Sequence, residues 1–401
     1  MNQIVESQPL FDPMDANFCR DFYPNIKRMR ESCCAYRHPG TLSPVVLFFR
    51  YADVAPMLSN WHEWPSERSE EKKARGLGVA SIILGNDPPL HTRYRKIMAP
   101  FFMPKSIQSY EAIIEGLIDE AVEACVGTGD TDFVEKFADH VTVGLICEIC
   151  GIPKEDREMI RTKAMLVAEN YGKGLFWRHE NPAIEAMIAK VSWDFGFYFI
   201  QHVERLKTSG QNSILGRMAE HLDNPREIAA MCALIIAGGV ETTTNNIVHG
   251  LQELIRHPDQ FALLRRKPEL LDSVIEKMVR YRGTLRRQER VAMQDVDIDG
   301  IAIAKGDTVV LWNASACRDP DFIDRPEESD ITRKPNRHIG YGNGIHMCIG
   351  NVLARAELRS IFGRLLTATS HIEEARGADS YQHAGNGVMD VAKRNSLIMQ
   401  A

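Results

Sequence analysis

The chain has 401 residues, of which 44% are hydrophobic and 25% are charged, as in a globular protein large enough to bury a deep core. Its formal net charge of −6 argues against general nucleic-acid binding. No apolar run reaches the roughly 18 residues of a membrane span, and nine irregularly spaced cysteines indicate reduced thiols rather than a disulfide framework. We therefore expect a cytoplasmic protein.

The predicted elements follow one another without a repeat or a linker-like change in composition, so we expect residues 1–401 to form a single domain. Short strands are predicted at residues 44–50, within 290–311 and near the C-terminus. Helical periodicity dominates residues 90–280 and returns after residue 348. The predicted fold class is mainly α, with a helical body and small β-sheets at its edge.

The longest predicted helix begins at Pro225 and ends at His257, before Pro258. At about 1.5 Å per residue it spans roughly 50 Å, enough to cross the molecule. Its apolar middle is interrupted by Gly238–Gly239 and the polar run 241–245, although each glycine costs about 1 kcal/mol in a helix interior. Two interpretations remain open here: a packing notch with a solvated polar face, or a groove for a large flat group and a small ligand.

The most distinctive segment is 340-GYGNGIHMCIG-350, in which Cys348 lies among glycines shortly before a predicted helix at 351–366. The helix dipole and free amides stabilise a thiolate at such a position, which suits a metal ligand. A core thiol, a zinc ligand and a haem ligand are the three possible roles. Zinc is poorly supported, because the CxxC pair Cys147 and Cys150 lies in an apolar helical stretch, 141–152, where core packing is the simpler interpretation.

This segment resembles the haem-binding loop of the cytochrome P450 family, F-G-x-G-x-H/R-x-C-x-G, with Tyr341 in place of the usual phenylalanine. Three further segments resemble family motifs in the same order: 87-DPPLHTRYR-95, 238-GGVETT-243 and 316-ACRDP-320. The resemblance extends from about residue 12 to 399 and points to bacterial, soluble members with the mainly α cytochrome P450 fold.

The resemblance implies haem b as the cofactor, with Cys348 as the proximal thiolate. Thr242 and Glu241 match the alcohol and acid that deliver protons during oxygen activation. The remaining expected cofactor-binding residues are His91, Arg95, Gly238, Arg290, His346 and Gly350. By analogy, the apolar substrate pocket includes Leu234, Ile235, Gly238, Thr284, Leu285, Val388 and Met389.

The implied function is a monooxygenase that inserts one oxygen atom from O2 into a small or medium hydrophobic substrate. Electrons are expected from a separate ferredoxin and its NAD(P)H-dependent reductase, because the chain carries no flavin or iron–sulfur signature. A basic patch of Lys334, Arg337, Arg355 and Arg359 is expected to receive that acidic partner. We expect a monomer without nucleic-acid or membrane binding; the alternative is a non-catalytic haem-thiolate binding or sensing protein.

One motif departs from the family. The expected E-x-x-R helix falls in 274-VIEKMVRYRGT-284, where Lys277 stands three residues before Arg280 and the acid lies at Glu276. Because residues four apart meet on a helix, Glu276 can still pair with Arg280, while the positive charge of Lys277 repels that of Arg280. Arg333 is the expected second arginine of this brace, and weaker haem retention is the expected consequence.

Overall fold

The computed structural model describes residues 16–38, 45–66, 83–170, 182–209, 212–376, 381–385 and 389–401. Its α-helices are α1 (Ala16–Arg20), α2 (Phe22–Ser32), α3 (Tyr51–Ser59), α4 (Leu90–Met98), α5 (Pro104–Cys125), α6 (His140–Cys150), α7 (Arg157–Asn170), α8 (Pro182–Ser209), α9 (Ile214–His221), α10 (Pro225–Arg256), α11 (Pro258–Arg266), α12 (Leu271–Arg282), α13 (Asn313–Ala316) and α14 (Asn351–Ala368). Its strands are β1 (Ala35–His38), β2 (Val45–Phe48), β3 (Asp130–Asp132), β4 (Gln288–Val291), β5 (Val296–Ile298), β6 (Ile301–Ile303), β7 (Thr308–Leu311), β8 (His371–Glu374), β9 (Tyr381–Gly385) and β10 (Asp390–Gln400).

The helical body is built around α10, which has the predicted length and packs against α6, α7, α8 and α12. By length and composition alone, its stretch Glu227–Arg256 could cross a membrane. However, 56% of its apolar window is buried inside the protein, as in the core helix of a soluble protein. The helix α6 joins the same core, where Cys147 and Cys150 are fully buried, so the packing interpretation of the CxxC pair is confirmed.

Small sheets lie outside this body. One has the order β1-β2-β7-β4, with β2 and β7 parallel and the other neighbours antiparallel. A second contains β3, β10 and β8, and β9 pairs with another part of β10. The predicted run 290–311 is divided between two sheets, because β5 and β6 form a separate hairpin through Asp299 and Gly300, both at positive φ.

The glycine-rich loop 340–350 packs against the C-terminal end of α3. Gly344 has a φ of 69°, a left-handed conformation that L side chains rarely adopt. A Cβ atom there would lie 2.7 Å from the Cα of Ser59 and 2.8 Å from the carbonyl oxygen of Leu58. Backbone atoms cannot move aside as a flexible side chain can, so this contact requires glycine.

The pair between Glu276 and Arg280, which the helix spacing allows, is not formed. Arg280 instead donates Nε to Oδ1 of Asn336 (2.8 Å) and Nη1 to the carbonyl oxygens of Cys317 (3.3 Å) and Pro326 (3.1 Å).

Glu276 binds Arg355, on α14, and His338. Glu276 and Arg280 are one helical turn apart, but the fully buried Arg280 faces segment 317–336, whereas Glu276 faces α14.

The expected second arginine, Arg333, also joins no carboxylate in the described part of the chain; it donates to the carbonyl oxygens of Asp324 and Arg325. Lys277 donates Nζ to Oγ of Ser329 (2.7 Å). Lys277 is 2% exposed, and its burial lowers the pKa of its amine to about 8, with smaller contributions from nearby guanidinium groups. The charges of Glu253 and Asp330 favour the ammonium form but do not offset its burial, and a buried cation without a close carboxylate partner is costly.

We predict that Gly344→Ala destabilises the protein by about 2 kcal/mol or more, because the backbone clash adds to the left-handed strain. The matched control is Gly306→Ala, at φ 91° with open space around it, which should cost only about 1 kcal/mol. Urea unfolding followed by circular dichroism measures both. Equal losses in the free energy of unfolding would mean that the close contact with α3 adds no cost to the substitution.

We predict that Lys277→Met raises the free energy of unfolding at pH 7, by up to about 3 kcal/mol, because it removes a buried charge. In the wild type, the folded-state pKa of about 8 lies below the ordinary 10.5. The unfolded chain therefore binds more protons between these values, and wild-type stability should rise with pH across this window. Lys277→Met should lose this increase of stability with pH, whereas Lys267→Met, at an exposed lysine, should keep it. An increase retained in Lys277→Met would contradict its assignment to Lys277.

Candidate functional site

The Cys348 loop is held in place by backbone hydrogen bonds. The N–H of Cys348 donates to the carbonyl oxygen of Tyr341 (2.9 Å), and Nδ2 of Asn351 donates to the carbonyl oxygen of Cys348 (2.6 Å). All nine cysteines are free, and Cys348 is the exposed one. Cys348 lines a cavity of the described structure, so its side chain is accessible from that cavity.

Two opposing effects act on the Cys348 thiol. Burial is the larger effect and raises its pKa, whereas a hydrogen bond from the Gly350 backbone and the charges of Arg95 and Arg355 lower it in part. The groups that lower it are those that would stabilise a thiolate. Among the described residues, no group of three or more His, Cys, Asp or Glu side chains could hold a metal ion, which leaves a zinc site at Cys348 without a ligand set.

A cavity of about 380 Å³ brings most of the residues named from the sequence to one place. Glu241 is buried beside the cavity wall rather than in it, and Val388 lies outside the described residues. The lining includes His91, Arg95, Leu234, Ile235, Gly238, Thr242, Thr284, Leu285, Arg290, His346, Cys348, Gly350 and Met389.

The cavity contains a cationic side chain, Arg290, and an imidazole, His91, with nitrogen atoms that the protein itself does not satisfy. Nε2 of His91 and both Nε and Nη2 of Arg290 are buried without a hydrogen-bond partner among the described residues. Burial lowers the pKa of Arg290 to about 10; burial, followed by the charges of His346 and Arg95, lowers that of His91 to about 4. Buried donors of this kind are normally paired, so their arrangement suits an anionic ligand.

Asp87 belongs to this group, although no role was predicted for it from the sequence. Oδ1 of Asp87 lies 2.9 Å from Nε2 of His346, whose ring meets the ring of His91 edge-on at 4.4 Å between centroids. Asp87 orients His346 and leaves only its other ring nitrogen for a ligand. Its place four residues before His91, in the segment DPPLH, was the available signal.

The two glycines of α10 have different surroundings. A Cβ on Gly238 would meet nothing within 4 Å, so this residue opens the helix wall to the cavity. A Cβ on Gly239 would lie 2.8 Å from Cδ1 of Ile146, so this glycine is a packing notch against α6. Oγ1 of Thr242 donates to the carbonyl oxygen of Gly238 (2.5 Å). Each interpretation of the glycine pair therefore applies to one of its members.

Apolar residues from two directions complete the cavity. Leu234 and Ile235 come from α10, while Leu285 and Met389 form an isolated antiparallel bridge. Thr284 donates its hydroxyl to the carbonyl oxygen of Thr242 (3.1 Å), so it ties this wall to α10.

The residues present fit a haem group. Haem b is a flat apolar ring with two carboxylates and an iron that accepts axial ligands. The cavity offers a thiol at Cys348, an open helix wall at Gly238, and unsatisfied donors at His91 and Arg290 for the carboxylates.

The predicted basic patch is only partly free. Lys334 and Arg337 are exposed, but Arg355 is paired with Glu276 and Arg359 with Asp272. Sequence spacing could not reveal these carboxylates, because both lie on α12, about 80 residues earlier in the chain.

Comparison with known proteins assigns the family. The family model described as "Cytochrome P450" matches residues 207–376. The vitamin D(3) 25-hydroxylase of Pseudonocardia autotrophica is 30% identical over 352 residues, covering 84% of this chain and 83% of that protein. Putative cytochrome P450 126 of Mycobacterium tuberculosis is 32% identical over 363 residues, covering 84% of each chain.

Among solved structures, P450BioI in complex with an acyl carrier protein carrying hexadec-9Z-enoic acid superimposes with a TM-score of 0.87 at 24% identity. The match covers 96% of this chain and 100% of that one, and it confirms the predicted fold class. With relatives of this identity and coverage, the chain belongs to the cytochrome P450 family of haem-dependent monooxygenases.

Proposed function

We propose that this monooxygenase hydroxylates a small or medium-sized hydrophobic molecule, and that Cys348 would hold haem b through its thiolate. The observation that carries this proposal is one cavity that contains the thiol of Cys348, the hydroxyl of Thr242, and the unsatisfied donors of His91 and Arg290. Bound haem supplies the activation of O2, with two electrons, for insertion of one oxygen atom into a C–H bond.

The cationic side of the cavity would hold the haem carboxylates. His91, Arg95 and Arg290 are proposed as the donors, because buried carboxylates require charged or strongly donating partners. His346, oriented by Asp87, is proposed to contribute its remaining ring nitrogen. Gly238 and Gly350 leave room for the ring to approach the backbone.

Thr242 and Glu241 are proposed to manage protons. The hydroxyl of Thr242 lines the cavity and donates its proton to the carbonyl oxygen of Gly238, which leaves Oγ1 to accept a hydrogen bond from the cavity. Once the O–H rotates away from Gly238, it can donate that proton into the cavity and take another from a neighbouring donor. Glu241 precedes it on α10 and is 3% exposed, which suits a carboxyl that exchanges protons without opening the site to bulk water.

The substrate would lie against the apolar wall of the cavity. Leu234, Ile235, Thr284, Leu285 and Met389 are proposed as its contacts; Val388 remains a proposal from the sequence. The chemistry of the wall suits a hydrophobic molecule, and the name of the related vitamin D(3) 25-hydroxylase describes an enzyme of that kind.

We further propose that residues 1–401 act as a single-domain, monomeric, cytoplasmic enzyme. Its electrons would come from a ferredoxin and an NAD(P)H-dependent reductase. The exposed cations Lys334 and Arg337 support docking of an acidic partner beside the Cys348 loop, because they can steer it electrostatically.

The first test is the absorption spectrum of the purified, dithionite-reduced protein with and without carbon monoxide. We expect a strongly red-shifted Soret band, because a thiolate ligand donates charge to the iron. Cys348→Ser should lose that band, whereas Cys317→Ser, at a buried cysteine outside the cavity, should keep it. A red-shifted band that survives in Cys348→Ser would reject Cys348 as the ligand.

We predict that Thr242→Ala uncouples electron consumption from product formation and releases peroxide, because the hydroxyl that passes protons is gone. The comparison variant Thr242→Ser keeps the hydroxyl and should stay largely coupled. NADH or NADPH consumed, peroxide released and product formed are measured with one reductase system and a substrate selected by spin-state shift. Unchanged coupling in Thr242→Ala would remove Thr242 from the mechanism.

A further inference from the structure

A carboxylate that the family motif does not use lies at the centre of a partly buried network. Glu276, on α12, accepts hydrogen bonds from Nε (2.5 Å) and Nη2 (3.0 Å) of Arg355, on α14. Nε2 of His338 lies 2.9 Å from Oε2 of the same carboxylate. A two-pronged guanidinium bond of this kind is among the strongest and most directional in proteins.

Both partners of Glu276 contact the same aromatic ring. The guanidinium carbon of Arg355 lies 4.5 Å from the ring centroid of Tyr341. The ring of His338 lies 5.8 Å from it, inclined by 50°. The carbonyl oxygen of Tyr341 in turn accepts the N–H of Cys348. The contacts therefore run without a gap from the carboxylate to the thiol-bearing residue.

A second route reaches the loop through His338. The N–H of Gly340 donates to Nδ1 of His338 (3.1 Å), which leaves Nε2 as the protonated nitrogen that donates to Glu276. Gly340 is tightly placed, since a Cβ there would lie 2.8 Å from the carbonyl oxygen of Val279. Glu276 thus fixes the beginning of the loop as well as its aromatic residue.

Glu276 is ionised in this setting. Burial raises the pKa of its carboxyl, but hydrogen bonds from His338 and Arg355 outweigh that effect and lower it to about 2. The next residue, Lys277, carries a positive charge and faces Ser329 instead. Residue 277 therefore provides no carboxylate near the Cys348 loop. Glu276 is the carboxylate of α12 whose partners contact that loop.

We propose that Glu276 is the positioning residue that holds the Cys348 loop, acting through Arg355 and His338 on Tyr341 and Gly340. The inference rests on the proposed role of Cys348, and it adds the group that keeps the backbone of the Cys348 loop in place. Without the carboxylate, Arg355 and His338 lose their common partner, the ring of Tyr341 is no longer held, and the Cys348 thiol can move from its place in the cavity wall.

The test compares Glu276→Gln with Asp272→Asn in the haem-loaded protein. Asp272 lies on the same face of α12 and binds Arg359 of α14 (2.7 Å), so the control removes another carboxylate between the same two helices. The readout is the Soret band of the reduced carbon monoxide complex during mild warming, with circular dichroism recorded at the same temperature. Neither readout depends on turnover.

We expect Glu276→Gln to convert from the thiolate-type band to a neutral-ligand band roughly tenfold faster than the wild type, with helix content unchanged. Asp272→Asn should convert at the wild-type rate. Equal rates in the two variants would overturn the proposal, as would loss of the band only in step with loss of helix.

A second variant covers the case in which Glu276→Gln does not fold. Arg355→Lys keeps the charge but loses the two-pronged bond and the planar contact with Tyr341, so it should show the same conversion in milder form. A wild-type rate in Arg355→Lys would overturn the proposal. A wild-type protein without any thiolate-type band would instead overturn the proposed role of Cys348, and with it this inference.

Discussion

The structure depends on keeping one thiol at a fixed point in the wall of a cavity. The hydrogen bond from the N–H of Cys348 to Tyr341 closes the loop, and the glycine at 344 lets the loop press against α3. The helix α14 begins directly after it, and α12 supports it from the other side. A displacement of any of these elements moves the thiol, because close-packed elements transmit small shifts.

The distribution of buried charge separates two regions with opposite requirements. In the cavity, His91 and Arg290 keep unsatisfied donors, which suits a ligand that brings its own negative charge. Around α12, buried cations must be satisfied by the protein itself. Arg280 and Arg333 donate there to neutral groups, mostly backbone carbonyl oxygens, although Nη2 of Arg280 and Nε of Arg333 have no partner among the described residues. The first arrangement prepares a binding site, whereas the second stabilises the fold.

Lys277 explains why the second region differs from the family pattern. A lysine cannot accept the guanidinium hydrogen bonds that a glutamate would accept, so Arg280 turns to the carbonyl oxygens of segment 317–336. The negative charge remains in the helix one position earlier, at Glu276, and there it meets α14 instead of Arg280.

The sequence by itself determined the local features: the extent of the long helix, the turn at Asp299–Gly300, the core position of Cys147 and Cys150 and, through the family motifs, some of the residues that line the cavity. These follow from periodicity, capping, turn chemistry and motifs, which are written in consecutive residues. Only the tertiary structure decided that Glu276 binds Arg355 rather than Arg280, that Asp87 holds His346, and that Gly238 and Gly239 serve different purposes. The physical reason is that these contacts depend on which side chains, distant in the sequence, lie beside a given helix face in the folded protein. Spacing along a helix permits several partners without selecting one.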